Sequence, residues 1–363
     1  MKTPEISFVI PTRNRPAILQ RTLKKLGQLK GFSGEIIVVD NDSKVTFEMP
    51  AKVENNWPIK MIRLHDNLAA ASRNLGVEQA QSDWICMLDD DSCPLNNRLV
   101  HAAKEADNDV AAIAGEILLP SGAHEAGGLP EVFTGCGVLV RRKCFLDAGG
   151  YDPSFGFYVE EYDLAARFLL AGWRVSRDPR LLILHEKSGV NRDFASILHR
   201  LIRNNGYVIA RYAPEEILEE QLQLSLSRYR KIAEKEGVSE AAEAGICELE
   251  SNLPFQQRRP MSPQLYDRFT GAAAVKKYLP AELERMNIRT VRLISPGKGN
   301  EIIRTVLQKE TTVDLITTEG ISSDAEIIGT LSPGPILDVL ASRKKVKNKT
   351  IPPWPVTTAW PLT

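Results

Sequence analysis

The first half of the chain alternates continuous apolar runs with amphipathic stretches. Buried-strand patterns occur at Ile6–Ile10, Glu35–Asp40 and Trp84–Leu88, each of them a short, mostly apolar run. Between these runs, residues 16–29 and 69–79 carry apolar side chains at the three- and four-residue spacing of a helix. The repeated order of strand, helix and strand predicts an α/β fold with a mostly parallel sheet.

The rest of the pattern divides the chain into four segments. Further strands are predicted at 59–64, 111–119, 132–140, 180–185 and 291–294, and further helices at 160–171, 194–212 and 300–308. Residues after 213 become polar and helical, then rich in Pro and Arg. We therefore divide the chain into an α/β domain (1–213), a helical extension with a linker (214–285), a small α/β unit (286–343) and a Pro-rich tail (344–363). We expect the tail to be disordered or draped on the surface.

Composition narrows the class of protein without choosing a function. The 363 residues are 43% hydrophobic and 25% charged, which excludes a mostly disordered chain, a collagen-like chain and a coiled-coil rod. Lys and Arg number 46, as do Asp and Glu, so charge gives no reason to expect binding to nucleic acid. The five cysteines show no zinc-like spacing and are interpreted as reduced thiols.

The sequence also sets expectations about location. The first residues, MKTPEISFVIPTRNRP, lack the apolar stretch of a signal peptide, and no window approaches 18 uninterrupted apolar residues. We expect a cytoplasmic protein without a transmembrane segment, and leave open peripheral contact with the inner face of the membrane.

Three consecutive carboxylates follow the third buried strand. Asp89, Asp90 and Asp91 come directly after Leu88. Adjacent carboxylates repel one another, so clustering them costs stability unless a cation offsets their charge. Mg²⁺ and Mn²⁺ prefer carboxylate oxygens and complete their coordination with water or phosphate oxygens. Asp89 and Asp91 share one side of an extended backbone, so the motif predicts a divalent metal site, with a solvated acidic turn as the alternative.

Polar motifs also follow the other strands of this half, where α/β sheets bind their ligands. In chain order the motifs are Pro11-Thr12-Arg13-Asn14, Asp40-Asn41-Asp42-Ser43, Arg73-Asn74-Leu75-Gly76, Leu88-Asp89-Asp90-Asp91, Gly135-Cys136-Gly137, Gly149-Gly150-Tyr151-Asp152 and Glu160-Glu161-Tyr162-Asp163-Leu164. In this order and at this spacing, they resemble the motifs of the family 2 glycosyltransferases, which have the GT-A fold. The resemblance covers roughly residues 5–212.

The resemblance implies a nucleotide-sugar donor, whose nucleotide is UDP, dTDP or GDP. Pro11, Thr12 and Asn14 are similar to the loop that contacts the base in the family, and Asp40 and Asn41 to the strand end that contacts the base and ribose. The second of these strand-end positions is often Asp in the family. The Asn at position 41 therefore leaves base specificity open.

The same resemblance implies a metal centre beside the donor diphosphate. Asp89 and Asp90 are similar to residues on the nucleotide side, and Asp89 and Asp91 to the metal ligands, with His185 as a third ligand or a buried structural histidine. Arg73 is expected either to contact the phosphates or to form an ion pair on the helix surface. The implied cofactor is Mn²⁺ or Mg²⁺.

A second acidic cluster is predicted to begin a helix. Glu160, Glu161 and Asp163 fall in its first turn, where carboxylates suit the helix dipole. Inverting sugar transfer also needs a carboxylate base to deprotonate the acceptor hydroxyl. The family's motif favours Glu161 as the base, with Glu160 next. Asp163, the third catalytic candidate, is expected to orient a neighbour or to contact the acceptor.

The sequence of the small C-terminal unit gives less evidence of function than that of the α/β domain. Its loop Ser295–Asn300 lacks the residue order of a phosphate-binding loop, so we interpret it as a strand-to-helix turn. The unit's role stays open between contacting a partner and oligomerisation. Asn41 and the pair Arg203-Asn204 are similar to rhamnosyltransferase-type members of the family.

These expectations combine into one hypothesis and two alternatives. The hypothesis is a metal-dependent, inverting hexosyl- or deoxyhexosyltransferase that moves a sugar to a glycan or lipid-linked acceptor in cell-surface polysaccharide or glycan synthesis. The first alternative is a sugar nucleotidyltransferase, but residues 11–15 contain no Gly of the kind its first loop usually carries. The second is a non-catalytic binding or scaffold protein with the same fold.

Overall fold

The structure, a computed structural model, describes residues 3–45, 47–187, 193–318, 321–344, 346 and 348–357. The strands there are β1 (Ile6–Thr12), β2 (Gly34–Asp40), β3 (Ile59–Arg63), β4 (Trp84–Met87), β5 (Ser92–Pro94), β6 (Val110–Leu118), β7 (Val138–Arg141), β8 (Arg174–His185), β9 (Thr290–Ile294), β10 (Asp314–Leu315), β11 (Ala325–Ile328) and β12 (Lys349–Ile351). The α-helices are α1 (Pro16–Leu26), α2 (Ser72–Gln79), α3 (Arg98–Glu105), α4 (Arg142–Asp147), α5 (Glu160–Leu170), α6 (Phe194–Tyr212), α7 (Leu218–Glu236), α8 (Ser239–Asn252), α9 (Pro263–Thr270), α10 (Ala272–Arg285), α11 (Asn300–Glu310) and α12 (Pro333–Ser342).

The first eight strands form one mixed sheet in the order β3-β2-β1-β4-β7-β6-β8-β5. Strands β3, β2, β1 and β4 are mutually parallel, whereas β7 pairs antiparallel with both β4 and β6. The carboxyl ends of β2, β1 and β4 therefore lie side by side. This edge carries the polar motifs that the sequence places after the three strands, so the topology alone gathers them into one region.

Helices cover both faces of β1, β2 and β4, which explains the mostly apolar sequences of these three strands. Along β1 and β2, alternate residues enter two different buried clusters. Val9, for example, packs in the cluster that includes α2, while Phe8 packs with Leu19 and Leu23 of α1. The amphipathic spacing of α1 follows from this one-sided burial.

Helix α2 approaches the sheet closely because it contains a glycine. A Cβ atom at Gly76 would stand 2.5 Å from a Cγ of Val9 and 3.3 Å from a Cγ of Val39. Both valines are fully buried, so neither can move aside. The glycine of the Arg-Asn-x-Gly motif thus sets the helix-to-sheet distance, and with it the reach of Arg73 toward the end of β4.

The C-terminal unit is a separate parallel sheet, in the order β10-β9-β11-β12. The expectation that the tail is disordered or draped on the surface is wrong for its described part, because β12 is an edge strand of this sheet. Trp354 beyond it is buried, and its indole N–H donates to the carbonyl of Leu331 over 3.0 Å. The sequence signal was missed because three strand residues among prolines show no periodicity. Residues 358–363 lie outside the described part of the chain.

Two other element predictions need correction. Of the strand expected at 132–140, only the part from Val138 is a strand, and residues 132–137 form a loop. The strand expected at 180–185 begins earlier, at Arg174, and is interrupted by a bulge in its pairing with β6. None of the helices in the described part of the chain has both the length and the hydropathy needed to cross a bilayer.

The C-terminal unit docks on the α/β domain through the loop that follows β6. His124 contacts Asp338 of α12, and the Ser332 hydroxyl both accepts from the Gly127 N–H and donates to its carbonyl, each over 2.8 Å. Arg268 of α9 forms a two-pronged ion pair with Glu131, at 2.8 and 2.7 Å. The contacts of His124 and Gly127 fix the C-terminal unit, and that of Glu131 fixes the helical extension, against the loop that continues into Cys136.

Helices α6 and α8 pack closely at Gly245, which generates a stability prediction. A Cβ atom there would lie 2.8 Å from the carbonyl oxygen of His199, a backbone atom that cannot rotate away. We expect Gly245→Ala to lower the free energy of unfolding by about 1–3 kcal/mol, although alanine is the better helix former. Urea unfolding followed by circular dichroism measures the change.

The matched control is Ala244→Gly, at an exposed position of the same helix. It should cost no more than about 1 kcal/mol, the difference in helix propensity. Stabilisation by Gly245→Ala would contradict the tight crossing.

Candidate active site

The carboxylate run at the end of β4 is held by two arginines. Arg15 pairs with Asp90 at 3.0 Å and with Asp91 at 2.6 Å, and Arg73 pairs with Asp89. Asp90 and Asp91 are 3% exposed, whereas the side chain of Asp89 is 36% exposed. The fold therefore offsets part of the repulsion with its own guanidinium groups, and leaves Asp89 as the carboxylate that solvent reaches most easily.

The three carboxylates separate on a turn and not along the extended backbone that the sequence analysis assumed, since the Ser92 N–H donates to the carbonyl of Asp89 over 3.1 Å. Asp90 turns toward β1, where it accepts a hydrogen bond of 2.8 Å from the Thr12 hydroxyl. Asp89 and Asp91 both face the Nε2 atom of His185, at 3.7 and 3.2 Å. Burial raises the pKa of Asp90 to about 7, even though Arg15 and the Thr12 hydroxyl favour its charged form.

His185 ends β8, where it pairs with Ser92 of β5, the residue that follows Asp91. Its Nδ1 atom contacts Glu125 and lies 3.6 Å from the Sγ atom of Cys136. Burial disfavours a charge on this ring, but the contacts with Asp91, Cys136 and Glu125 outweigh it and raise the pKa of His185 above its ordinary value. The second-nitrogen contact with a carboxylate is the arrangement that fixes the ring of a metal-binding histidine.

The residues present fit a divalent cation. Asp89, Cys136 and His185 each offer a ligand atom within 4.8 Å of the other two, the one such group in the described part of the chain. Carboxylate ligands suit Mn²⁺ and Mg²⁺, whereas imidazole and thiolate ligands shift the preference toward softer metals. Burial raises the pKa of the Cys136 thiol to about 11, so the metal-free site holds a neutral sulfur. Asp91 is adjacent through its contact with His185.

The predicted donor loops lie together at the ends of β1 and β2, but several of their side chains are occupied. Asn41 is buried: its carbonyl accepts from the Leu68 N–H over 2.7 Å, and its amide donates to the carbonyl of Ala69 over 3.0 Å. Asp40 is fully buried and pairs with Arg63 at 3.0 Å. In this arrangement both side chains hold the loops that would face a nucleotide.

Side chains of the loop after β1 are also occupied by contacts within the protein. Asn14 adopts a left-handed backbone with φ of 56° and accepts from the Lys44 N–H over 2.7 Å, so it links the loops after β1 and β2. Pro11 lies within β1, paired with Val39 of β2. Thr12, Asn14, Asp40 and Asn41 are brought together as the motifs predicted, and their contacts show how the two loops are held at a fixed separation.

Arg73 is buried, so the ion pair on the helix surface that the sequence left open does not form. The guanidinium contacts Asp89 and reaches the carbonyl of Leu88, and its Nε atom has no hydrogen-bond partner among the described residues. The neighbouring Asn74 holds the turn before α5, since it accepts from the Tyr151 N–H and donates to its carbonyl, both over 2.9 Å. The motif therefore links the acidic run to the second carboxylate cluster.

The second carboxylate cluster begins α5. Glu160 is buried and its Oε2 atom has no hydrogen-bond partner among the described residues, whereas Glu161 is half-buried. Burial raises the pKa of both carboxyls, and the neighbouring charge of Glu161 raises that of Glu160 further. Raised pKa values in a pair of carboxyls favour proton transfer near neutral pH.

Asp163 plays a different part in the same helix. It is fully buried, and both of its oxygens are occupied, by Arg167, by Arg211 at 2.9 Å and by the Tyr212 hydroxyl at 2.6 Å. These contacts tie α5 to the end of α6. Of the two roles expected for Asp163, the geometry matches orienting its neighbours and leaves no oxygen for an acceptor.

The chain enters α5 through a strained segment that α6 holds in place. Tyr158 and Val159 both have φ of 72°, which for a β-branched residue is a genuine outlier. The buried amide of Asn204 donates to the carbonyls of Phe155, Phe157 and Tyr158, at 2.9, 3.0 and 2.6 Å. One side chain thus anchors the backbone immediately before Glu160.

Four residues of the site escaped the sequence analysis as contributors. They are Arg15, Cys136, Glu125 and Asn204. Arg15 and Cys136 stand inside or beside motifs but belong to residue types that are usually surface charges or inert thiols. Glu125 lies in a loop without a motif, and only the fold brings it to His185.

Comparison with known proteins agrees with this geometry. Residues 7–145 match the model of the family described as "Glycosyl transferase family 2". Residues 7–145 thus form a family 2 glycosyltransferase domain. An uncharacterized glycosyltransferase of Haemophilus influenzae is 27% identical over 190 residues, 45% of this chain and 62% of that protein. The pre-mycofactocin glycosyltransferase of Mycobacterium tuberculosis is 28% identical over 214 residues, 52% of this chain and 44% of that protein.

The chain thus spans less than two thirds of the length of these curated relatives. Among solved structures, S. aureus TarS 1–349 covers 78% of the chain with 15% identity and a TM-score of 0.51, over 87% of its own length. Its complex with UDP-GlcNAc gives a TM-score of 0.50 over the same shares of the two chains. The family 2 domain therefore has the GT-A fold that the sequence motifs implied.

The anchoring role of Asn204 generates a prediction. We expect Asn204→Ala to lower the free energy of unfolding by about 1–3 kcal/mol, because the carbonyls of Phe157 and Tyr158 lose this donor while that of Phe155 keeps only Arg203. Amide hydrogen exchange of the peptide covering residues 155–160 should accelerate, since the strained segment is then free to relax. Amide exchange measured by mass spectrometry reports both the loss of stability and the local acceleration at residues 155–160.

Asn205→Ala is the matched control, because Asn205 donates to Leu201 and Tyr229 and not to this segment. Equal exchange of residues 155–160 in the wild type and in Asn204→Ala would refute the anchoring role.

Proposed function

We propose that this protein is an inverting glycosyltransferase that moves a sugar from a nucleotide-sugar donor to an acceptor hydroxyl. The observation that carries the proposal is the convergence of two carboxylate clusters at one sheet edge: Asp89 to Asp91, and Glu160 with Glu161. Arg73 lies between them, close enough to Asp89 for an ion pair and to Glu160 to favour that residue's charged form. Sugar transfer needs a site for the donor diphosphate and a carboxylate base for the acceptor, on either side of the transferred sugar.

The first cluster suits the donor. Asp89 and His185, with Asp91 and Cys136 adjacent, would hold a divalent cation, for which we propose Mn²⁺ or Mg²⁺. When bound, such a cation offsets the charge of the donor diphosphate and of the leaving nucleotide. Arg73 supplies a second positive charge on the same side. The loops that contain Thr12, Asn14, Asp40 and Asn41 would form the walls of the nucleotide site.

The second cluster suits the acceptor. A carboxylate at the start of α5 takes the proton of the acceptor hydroxyl as its oxygen attacks the anomeric carbon, and the nucleoside diphosphate leaves from the opposite face. We assign this base to Glu161, which is half-buried and so open to an acceptor, with Glu160 as the alternative. In this assignment the charge of Glu160 contributes to the electrostatic environment of Glu161.

The class of acceptor follows only from relatives. The names of two similar proteins refer to an undecaprenol-linked glycan (Campylobacter jejuni, 26% identical) and to O-antigen biosynthesis (Myxococcus xanthus, 23% identical). We extend from these names the proposal that the acceptor is a glycan or a lipid-linked sugar of a cell-surface polysaccharide. The rhamnosyltransferase-type refinement stays a prediction.

The metal role generates a prediction for Asp91→Asn. Calorimetric titration of the wild type with UDP, dTDP and GDP should show that one of them binds only when Mn²⁺ is present. The Asn variant should bind that nucleotide about 10–100-fold more weakly, because a charged partner of the site is lost. Asp147→Asn, at an exposed position of α4, is the control.

Nucleotide binding of equal strength with and without Mn²⁺ would remove the metal from the proposal. If none of the three nucleotides binds under either condition, the non-catalytic alternative stands instead.

The base assignment generates a prediction about pH. With the donor chosen by titration, the rate of nucleoside diphosphate release should rise with pH through a midpoint above the ordinary pKa of a glutamate, since burial raises the pKa of both carboxyls. Glu161→Gln should lower kcat by about 10²–10⁴-fold with little change in donor KM. Glu160→Gln should lower kcat less.

The reverse order of the two variants would transfer the base to Glu160. Full turnover in both variants would exclude a carboxylate base from this helix.

A further inference from the structure

One lysine of the C-terminal unit reaches the start of α5. The loop after β9 brings Lys298 to Tyr162, where its ammonium donates to the phenolic oxygen and lies 4.6 Å from the centre of the ring. Tyr162 directly follows Glu161 in α5. A loop that the sequence analysis interpreted as a plain strand-to-helix turn therefore delivers a positive charge to the second carboxylate cluster.

The backbone of this loop holds the lysine rigidly. The carbonyl of Lys298 accepts from the Leu331 N–H over 2.8 Å, and the Gly297 N–H donates to the carbonyl of Gly329 over 2.8 Å. Gly299 has φ of 77°, and a Cβ atom there would stand 2.4 Å from Leu331. Two loops of the C-terminal unit are thus locked together beneath Lys298, and the side chain is presented from a fixed platform.

The helical extension also contributes a side chain to the surroundings of the Lys298 ammonium. Tyr229 of α7 is buried, accepts from the Asn205 amide over 2.9 Å, and lies near both Lys298 and Tyr162. Residues of the α/β domain, the helical extension and the C-terminal unit therefore meet around one ammonium group. Among the described residues, the ammonium of Lys298 donates to the Tyr162 hydroxyl and forms no ion pair with a carboxylate.

The charge of Lys298 acts on Glu161. Burial raises the pKa of Glu161, while Lys298 and Arg73 work in the opposite direction. Burial also opposes the charge of the lysine, but Tyr162, Tyr229 and Glu161 outweigh it and raise the pKa of the ammonium, so Lys298 is cationic at neutral pH.

The titratable and charged groups that interact electrostatically with Glu161 come from several elements. They are Glu160 of α5, Arg73 of α2, Asp89 after β4, Tyr151 before α5 and Lys298 after β9. Lys298 is the member of this set that belongs to the C-terminal unit.

We propose that the C-terminal α/β unit is part of the transferase site, where Lys298 is a positioning residue that contacts Tyr162 at the start of α5 and favours the charged, acceptor-ready form of the neighbouring Glu161. This inference rests on the proposed function, since it concerns the acceptor side of that site. It gives the small unit a role that sequence left open between partner contact and oligomerisation. It also explains why a half-buried ammonium is kept without an ion pair.

The test compares three variants of the full chain. Lys298→Met removes the charge and keeps the length of the side chain, Lys298→Arg keeps the charge, and Lys309→Met removes an exposed lysine from α11 of the same unit. The assay is nucleoside diphosphate release from the UDP-, dTDP- or GDP-sugar selected by titration, followed across pH. In Lys298→Met the acid-side midpoint of kcat/KM should rise by about one pH unit, because Glu161 binds its proton more tightly without the neighbouring cation.

Removal of the Lys298 charge should reduce activity in a way that depends on pH. Below the wild-type midpoint, Lys298→Met should be about tenfold slower, and the difference should vanish at high pH, with donor KM unchanged. Lys298→Arg and Lys309→Met should keep the wild-type profile. An unshifted midpoint, or an equal loss at every pH as a merely disrupted interface would give, overturns the inference.

A second measurement does not depend on turnover. Glutamate labelled with ¹³C at the carboxyl carbon allows titration of Glu161 by NMR, with Glu161→Gln to assign its signal. The signal should titrate about one unit higher in Lys298→Met than in the wild type, and equal titration overturns the inference. If the wild type binds and hydrolyses none of the donors, the proposed function fails on its own, whichever way this titration comes out.

Discussion

Repulsion among neighbouring carboxylates is the constraint on which the rest of this structure depends. Asp89, Asp90 and Asp91 follow one another at the end of a buried strand, and the last two of them are shielded from water. This repulsion is offset by the side chains of Arg15 after β1, Arg73 of α2 and His185 of β8. The site is therefore a balance of charge among elements far apart in sequence, and its geometry depends on all of them being packed correctly.

The same principle extends to the start of α5. Glu160 and Glu161 are carboxyls whose pKa values burial has raised, and they sit where a helix favours negative charge. Arg73 reaches from the first cluster to the second, and Asn74 beside it fixes the turn that leads into α5. Four consecutive residues of one short helix thus set the separation of the two clusters, with Gly76 fixing how deep the helix lies.

The sequence predicted what is local and periodic. The strands of the parallel half, their order along the chain and the motifs at their ends all follow from runs and spacings, as for Asp40 and Asp89. Contacts such as that between Glu125 and His185 are invisible in sequence because they join residues 60 positions apart without any motif. Strand β12 was missed for a related reason: its three residues are strand only because β11 offers an edge.

The position of Trp354 has a consequence for the order of assembly during synthesis. Its indole holds the carbonyl of Leu331, whose own N–H holds the backbone of Lys298. Domains fold largely in the order in which they leave the ribosome, so the α/β domain can form while residues 349–354 are still unmade. The platform under Lys298 gains the support of Trp354 only when this strand has been made. A nascent chain can then possess a folded sheet and a complete acidic run for several seconds before its three segments are locked together.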